Sequence, residues 1–291
     1  MKITVLKPIG FCSGVRNAIS LARKAKQDYP RKRIIIIGYL VHNVGLVQEL
    51  AKEGIETFYD ENLSDEKLVE AIPYGAVCVF PLHGHDETLE EICRRKGIVI
   101  VDAICPKIKI LFGKIKEEVN AGHQVIYVGK HKHDETMNAQ RISKDVLVYD
   151  IDEKFDYLDV IDAYPCVLDQ SSYNINRFKT IHDDIVSCIP NARFGPEVCN
   201  SARLREESIQ NLSSSVDTII VIGDDTSSNT SRLFETCKTS HPNATTILIS
   251  SVNEIDDSLF KNKKHVAITS GSATTLGVIE AVINHIKNIK D

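Results

Sequence analysis

The sequence lacks the features that mark membrane proteins and nucleic-acid-binding proteins. No apolar run approaches the ~18 residues that a membrane-spanning helix requires. Residues 1–15 have neither the long apolar region nor the small-residue cleavage site of a signal peptide, and we expect a first strand there instead. The formal net charge is −5, which gives no sign of binding to nucleic acid or to a membrane surface. We therefore expect a cytoplasmic protein.

Low-complexity linkers and long charge blocks are also missing from the 291 residues. A chain of this length can form two domains, or three small ones, with substantial cores. Its eight cysteines come without a signal peptide, which indicates a reducing compartment. In that setting thiols serve metals or chemistry more often than disulfides.

Short β-branched runs alternate with amphipathic segments along the whole chain. The runs lie at 34–37, 76–80, 99–101, 125–128, 166–168, 218–222 and 265–268. Helical periodicity predicts helices at 44–53, 86–96, 174–188, 230–239 and 275–289. This alternation is typical of parallel strands that are covered on both faces, so the predicted fold class is α/β with mainly parallel sheets.

Three cysteines divide the chain into nearly equal lengths: Cys12, Cys105 and Cys199 are 93 and 94 residues apart. Each one stands where an extended stretch gives way to a helical pattern. A thiolate at a helix N-terminus is stabilised by unpaired backbone N–H groups and by the helix dipole. The equal spacing predicts three similar units. The predicted boundaries are 14–104, 105–197, and 198–291 together with 1–13.

Three such thiolates in one place would form a soft metal site. Zinc with a water molecule as fourth ligand fits this donor set, and so does an iron–sulfur cluster with one open iron. Spacing alone does not choose between the two. We expect the other five cysteines to be small buried hydrophobic residues. They are Cys78, Cys93, Cys166, Cys188 and Cys237.

Polar side chains follow the strand runs, at the ends where open parallel sheets bind their ligands. They are the histidines His42, His83 and His133, the hydroxyls of Ser171, Ser172, Ser227, Ser228 and Ser272, and the amide of Asn229. This inventory suits a small oxygen-rich anion such as a phosphate or diphosphate. Histidines 85 and 131 lie in the same loops, and we assign them no role.

Glu135 follows His133 by two residues in the same loop. Beside a bound anion its protonated form would be favoured, because nearby negative charge opposes ionisation. A carboxylic acid that stays protonated near a leaving hydroxyl can act as a general acid.

Several short motifs in this order resemble those of the 4-hydroxy-3-methylbut-2-enyl diphosphate reductase family, also called LytB. The matching segments are GFCSGV at 10–15, VHN at 41–43, HGH at 83–85, DAICP at 102–106, HDE at 133–135, the cysteine at 199 and SSN at 227–229. The resemblance covers nearly the whole chain. It implies three α/β domains with pseudo-threefold symmetry around a central cleft.

The resemblance also implies a 4Fe-4S cluster held by Cys12, Cys105 and Cys199, with one open iron for the substrate's hydroxyl. The implied reaction is reductive removal of that hydroxyl, giving isopentenyl and dimethylallyl diphosphate in the last step of the methylerythritol phosphate pathway. Reduced ferredoxin or flavodoxin would supply two electrons. The implied catalytic residues are Glu135, His133 and Ser171. The implied diphosphate ligands are His42, His83, His133, Ser227, Ser228 and Asn229, to which the aligned segments add Ser171, Ser172 and Ser272.

Three segments depart from the family pattern. Ser171 stands where the family has a threonine, and Ala273 stands where it has a diphosphate-binding serine. Losing a hydrogen bond to a charged group costs roughly 1.5–3 kcal/mol unless Ser272 or Thr274 substitutes. The segment 200–205 also differs. Three other hypotheses therefore stay open: a related iron–sulfur reductase or dehydratase for another small anion, a non-catalytic iron–sulfur sensor, and a zinc hydrolase.

Overall fold

The computed structural model describes residues 1–150, 152–171, 175–197 and 199–289. The strands in these residues are β1 (Lys2–Val5), β2 (Ile34–Ile37), β3 (Ile55–Phe58), β4 (Val77–Phe80), β5 (Val99–Asp102), β6 (Val125–Val128), β7 (Val146–Tyr149), β8 (Cys166–Asp169), β9 (Arg193–Phe194), β10 (Thr218–Ile222), β11 (Thr245–Ile249) and β12 (His265–Ser270). The helices are α1 (Ser13–Asp28), α2 (Val44–Lys52), α3 (Asp65–Glu70), α4 (Thr88–Arg95), α5 (Pro106–Asn120), α6 (Asp134–Ile142), α7 (Ile175–Cys188), α8 (Asn200–Gln210), α9 (Ser228–Ser240) and α10 (Leu276–Asn288). Short 3-10 turns lie at Tyr157–Asp159, Val252–Glu254 and Asp257–Phe260.

The strands form three four-stranded sheets, and within each sheet every pair of neighbouring strands is parallel. Their strand orders are β1-β12-β10-β11, β3-β2-β4-β5 and β7-β6-β8-β9. This architecture confirms the predicted α/β class with parallel sheets. The predicted pseudo-threefold arrangement and the predicted domain boundaries stay predictions.

The chain falls into two compact units. Unit 1 comprises Met1–Arg16, Val41–Glu49 and Asn200–Asp291, and it contains the sheet built on β12 and β10. Unit 2 comprises Asn17–Leu40 and Leu50–Cys199, and it contains the other two sheets. Each unit is described separately below.

The inner strands β2, β4, β6 and β10 form because their sequences are almost continuous runs of apolar residues. Every residue of β2, β4 and β6 in unit 2 is buried, as is every residue of β10 and β12 in unit 1. Strands in a parallel sheet are covered by helices on both faces, so they need no polar alternation. In the described residues no helix is both long enough and apolar enough to cross a membrane.

Candidate functional site

Unit 2 gathers three of the predicted site residues around the carboxylate of a fourth, Glu135. His83 follows β4, His133 and Glu135 lie at the start of α6 after β6, and Ser171 follows β8. One ligand atom from each of His83, His133 and Glu135 lies within 4.8 Å of the other two. The two imidazole rings meet edge to face, with centroids 5.0 Å apart. The carboxyl ends of these strands therefore deliver their side chains to one place, as the sequence predicts.

Glu135 is 0% exposed, and its carboxylate accepts hydrogen bonds from two residues. Tyr127 Oη donates to Oε1 at 2.8 Å, and the backbone N–H of Ser171 donates to the same oxygen at 2.7 Å. Ser171 Oγ donates to Oε2 at 2.6 Å. Nδ1 of His83 lies 3.4 Å from Oε2 and forms an ion pair with it when the imidazole is protonated.

These neighbours decide the charge of the buried carboxyl. Burial raises the pKa of Glu135, but His83, His133 and Ser171 together outweigh it and lower the pKa to about 2. Glu135 is therefore a carboxylate near neutral pH when no ligand is bound. The sequence-based expectation of a protonated acid concerned the anion-bound protein, and it stays a prediction.

Tyr127 is a member of the site that sequence reasoning missed. It lies inside β6 and is fully buried. Burial raises the pKa of its phenol well above the ordinary value, and the negative charge of Glu135 raises it further. Tyr127 is thus a permanent hydrogen-bond donor to Glu135. The VIYV run gave a signal for this role, because a tyrosine in a buried strand usually has a hydrogen-bond partner for its phenol.

His133 is the N-cap residue of α6, and its Nδ1 accepts the backbone N–H of Glu135 at 3.2 Å. Since Nδ1 is the acceptor, the proton of the neutral ring is on Nε2. This bond fixes the imidazole orientation and leaves the Nε2 proton to donate elsewhere.

Two features fix the loop that carries His83. Asn138 of α6 donates from Nδ2 to the carbonyl of His83 at 3.3 Å. Gly84 has φ = +91°, and a Cβ there would lie 2.8 Å from Cε2 of Phe112. Glycine is therefore required at this position for both its conformation and its small size.

The two histidines without a predicted role lie outside the Glu135 group. His85 stacks on Phe80 with ring centroids 3.6 Å apart, and its Nε2 lies 3.2 Å from Glu90 Oε1. His131 Nε2 lies 3.6 Å from Glu153 Oε2 on an exposed part of the surface.

In unit 1, the loop before α1 places Cys12 next to the loop that follows β12. The Cys12 N–H donates to the carbonyl of Ser272 at 3.1 Å. The Cys12 sulfur in turn accepts the N–H of Val15 at 3.4 Å. Cys12 therefore lies at the open N-terminus of α1, as the sequence predicts.

The segment that contains His42 is bound to two further loops of unit 1. Asn43 Nδ2 donates to the carbonyl of Ala273 at 2.7 Å, and the N–H of Val44 donates to Asp224 Oδ2 at 3.3 Å. His42 itself is half-buried and lies close enough to Asp224 to help lower the pKa of that carboxyl. These bonds bring His42 and the loops after β10 and β12 together.

The N-terminus of α9 carries three of the predicted anion ligands. Ser227 is its N-cap residue and makes no side-chain capping bond, and Ser228 is exposed. Asn229 is 9% exposed, and its Nδ2 is buried without a hydrogen-bond partner among the described residues. A helix N-terminus with uncapped N–H groups is a favourable place for an anion.

The other two predicted metal ligands also stand immediately before helices. Cys105 is the N-cap residue of α5, with Pro106 at the first helical position, and its N–H donates to the carbonyl of Leu82 at 2.9 Å. Cys199 is half-buried and directly precedes α8. Ser172, the remaining predicted ligand, lies outside the described residues.

Comparison with known proteins gives matches over nearly the entire chain. The family model of the LytB protein matches residues 3–287. The 4-hydroxy-3-methylbut-2-enyl diphosphate reductase of Malacoplasma penetrans (strain HF-2) is 31% identical over 289 residues, covering 97% of this chain and 96% of the relative. The reductase of the same name from Brevibacillus brevis (strain 47 / JCM 6285 / NBRC 100599) is 29% identical over 293 residues, covering 100% and 93%.

Two solved structures have the same fold. The E-1-hydroxy-2-methyl-but-2-enyl-4-diphosphate reductase from Plasmodium falciparum matches with a TM-score of 0.87 at 21% identity, covering 99% of this chain and 88% of that one. A structure of (E)-4-hydroxy-3-methyl-but-2-enyl diphosphate reductase, described as the terminal enzyme of the non-mevalonate pathway, matches with a TM-score of 0.71 at 26% identity, covering 99% and 100%. The resemblance inferred from the short motifs is thus confirmed, and the chain belongs to the LytB family.

Proposed function

We propose that this protein is a 4-hydroxy-3-methylbut-2-enyl diphosphate reductase. It would remove the hydroxyl of its substrate reductively and release isopentenyl and dimethylallyl diphosphate. The full-length match to reductases of this name supports the assignment. The observation that carries it is the buried Glu135 carboxylate, held by Ser171 beside His83 and His133.

The proposed cofactor is a 4Fe-4S cluster held by Cys12, Cys105 and Cys199, with one iron left open. The donor set fits this cofactor, because all three are cysteines outside any disulfide that directly precede helices. The other five cysteines lie inside strands or helices, so they are not a fourth ligand in a loop. When bound, the cluster would supply electrons and a Lewis-acidic iron to the C–O bond. We further propose reduced ferredoxin or flavodoxin as the electron donor and the cytoplasm as the setting, both from the family resemblance.

In unit 1, we propose that the N-terminus of α9 binds the diphosphate through Ser227, Ser228 and Asn229. The orphaned Nδ2 of Asn229 supports this role, since a buried donor without an acceptor costs roughly 1–3 kcal/mol. A phosphate oxygen would satisfy that donor and the uncapped N–H groups of the helix together. His42 and Ser272, whose segments are tied to the neighbouring loops, are proposed as further ligands.

In unit 2, His83 and His133 are proposed diphosphate ligands, and Ser172 is proposed from the resemblance. We propose Nε2 of His133 as the atom that donates to a phosphate oxygen, because Nδ1 accepts the Glu135 N–H. The bound anion would also change Glu135, because negative charge near a carboxylate raises its pKa. Binding of the substrate therefore favours uptake of a proton by Glu135.

We propose that Glu135 stores this proton and that Ser171 transfers it. The Ser171 hydroxyl is 2.6 Å from Oε2 of Glu135, so one hydroxyl rotation and two short transfers carry a proton outward. Tyr127 holds the opposite carboxylate oxygen and keeps the carboxyl plane in place. The pair would protonate the leaving oxygen or the reduced allylic product.

A related reductase or dehydratase for another small anion is the second candidate, and Ala273 is the observation that favours it. A methyl group cannot donate a hydrogen bond to a diphosphate. Thr274 does not replace the missing hydroxyl, because it is 3% exposed and its Oγ1 donates to the carbonyl of Ile222 at 2.9 Å. The half-buried Ser272 is the remaining hydroxyl of this segment that can take the role.

An anaerobic assay of cluster-reconstituted protein tests the proposal. Reduced viologen dye would supply electrons to the hydroxylated diphosphate, with a panel of other anionic alcohols in parallel. We expect turnover on the diphosphate, nearly complete loss in Glu135→Gln, and no loss in the control Glu61→Gln, whose carboxylate is exposed. A fully loaded cluster without turnover of the diphosphate would refute the substrate assignment.

The same preparation separates the remaining alternatives. Turnover of another anionic alcohol in place of the diphosphate would support the second candidate. A cluster-loaded protein that turns over nothing, and whose cellular phenotype survives Glu135→Gln, would be a sensor. Stoichiometric zinc with no bound iron would identify the zinc hydrolase.

A further inference from the structure

Arg205 of α8 is the largest fully buried side chain in the described part of unit 1, with 1% of its surface exposed. To other described residues of that unit its guanidinium donates hydrogen bonds in three segments. Nη2 donates to the carbonyl of Gly10 at 2.5 Å, and Nε donates to the carbonyl of Ser270 at 3.3 Å. Nη1 donates to the carbonyl and the hydroxyl of Ser201 at 3.1 and 2.6 Å.

Two of these acceptors lie beside residues of the proposed site. Gly10 precedes Cys12 by two residues, and Ser270 precedes Ser272 by two. The same two loops are also bonded to each other directly. The Gly10 N–H donates to Ser270 Oγ at 2.8 Å, and the Cys12 N–H donates to the carbonyl of Ser272 at 3.1 Å. Arg205 therefore belongs to a network of hydrogen bonds that joins the two loops.

The geometry of this contact requires arginine. The planar guanidinium presents donors in several directions at once, whereas a lysine ammonium is a single point. Gly10 has φ = +72°, and a Cβ there would lie 3.1 Å from Leu276 Cδ2, so the turn that exposes its carbonyl depends on glycine. Burying a charge is costly, and an apolar side chain of similar volume would fill the space more cheaply. The buried guanidinium is therefore better explained by its hydrogen bonds to the two loops than by the space that it fills.

We propose that Arg205 is a positioning residue that holds the Cys12 loop and the Ser272 loop as one body. Through it, the backbone of a proposed cluster ligand and the backbone of a proposed diphosphate ligand keep a constant relative position. The roles of Cys12 and Ser272 rest on the proposed function. The mechanical coupling of their loops does not, so it can be tested without cofactor or substrate.

Amide hydrogen exchange of the cluster-free protein tests the coupling directly. Arg205→Met removes every hydrogen bond of the guanidinium, and Arg205→Lys keeps the charge without the planar guanidinium. The control is Ile209→Val, a 0% exposed residue on the same helix that touches neither loop through a hydrogen bond. We expect exchange in peptides covering 10–14 and 270–274 to be about tenfold faster or more in Arg205→Met, intermediate in Arg205→Lys, and unchanged in the control.

Release of iron to a chelator from the reconstituted protein is the second readout. We expect Arg205→Met to release iron about tenfold faster than the unaltered protein, since loss of charged hydrogen bonds frees the Cys12 loop. Unchanged exchange in both loops, or unchanged iron release beside faster exchange, would overturn the proposal. If Arg205→Met does not fold, hydrogen exchange and iron release are measured on Arg205→Lys and Ser270→Ala instead, and the same outcomes decide the proposal. Failure of the unaltered protein to take up iron would refute the proposed cofactor instead, and the exchange result would still decide the coupling.

Discussion

Replacing Ser171 by alanine separates the two bonds that Ser171 makes to Glu135. The backbone N–H still donates to Oε1 at 2.7 Å, whereas the 2.6 Å bond from Oγ to Oε2 is lost. A hydrogen bond to a charged group contributes roughly 1.5–3 kcal/mol. If the transition state uses this bond fully, turnover falls by about 10- to 100-fold.

The same change alters the titration of Glu135. The Ser171 hydroxyl is one of the groups that lower its pKa to about 2, so Ser171→Ala raises that pKa toward its ordinary range. A group that must be protonated appears as the basic limb of the kcat/KM profile, which reports its ionisation in the free enzyme, and we expect this limb to move to higher pH. Because an equal loss of activity from local unfolding would not move this limb, the profile distinguishes the two causes.

Two matched variants complete the experiment. Ser171→Thr keeps the hydroxyl and restores the family's residue, so its turnover should stay within a few-fold of the unaltered enzyme. Ser187→Ala removes an exposed serine hydroxyl that donates to the Asp184 carbonyl on α7, and should change neither rate nor profile. Full turnover by Ser171→Ala, or a basic limb that does not move, would refute a proton-transferring pair made of Ser171 and Glu135.

The pKa of Glu135 is about 2 in the folded protein and near 4.5 ordinarily. Its ionisation therefore contributes on the order of 3 kcal/mol to the free energy of unfolding above pH ~4.5, and this contribution is lost as pH falls toward 2. In Glu135→Gln the free energy of unfolding should therefore depend less on pH in the acid range. An unchanged pH dependence would contradict this. Ala273→Ser should lower KM for the diphosphate about tenfold if Ser272 substitutes poorly, and an unchanged KM would favour another substrate. Cys12→Ser should abolish iron loading while Cys188→Ser retains it, measured as iron per chain; retained iron in Cys12→Ser would refute this ligand.

The inner strands were predictable because they are buried on both faces. β2, β4, β6 and β10 are runs in which nearly every residue is apolar, so the sequence carries a strong signal. β12 has a shorter apolar run at 266–268. The strands that received no prediction, β3, β7, β9 and β11, all lie at the edge of their sheets. An edge strand is only partly covered, and its residues are correspondingly mixed. The five predicted helices agree with the structure to within two residues at each end.

The site was predictable where chemistry-bearing residues end a strand, and not where they lie within an element. His83, His133, Glu135 and Ser171 follow their strands, so the topology of parallel sheets was enough to bring them together. Tyr127 was missed because its position inside β6 is also that of an ordinary core residue. Arg205 was missed because a charged residue in a helix usually faces solvent, whereas here it is 1% exposed.

The three changed serine positions of the segment 269–273 have different consequences. The family resemblance aligns this segment with TAGAS, so this chain gains hydroxyls at Ser270 and Ser272 and loses one at Ala273. Ser270 is fully buried, however, and its Oγ accepts the Gly10 N–H and donates to the carbonyl of Gly271. The hydroxyl gained at Ser270 therefore holds the Cys12 loop and is unavailable to an anion. With Thr274 also bonded internally, the loss at Ala273 can be offset within this segment only through Ser272, whose carbonyl is already fixed by Cys12.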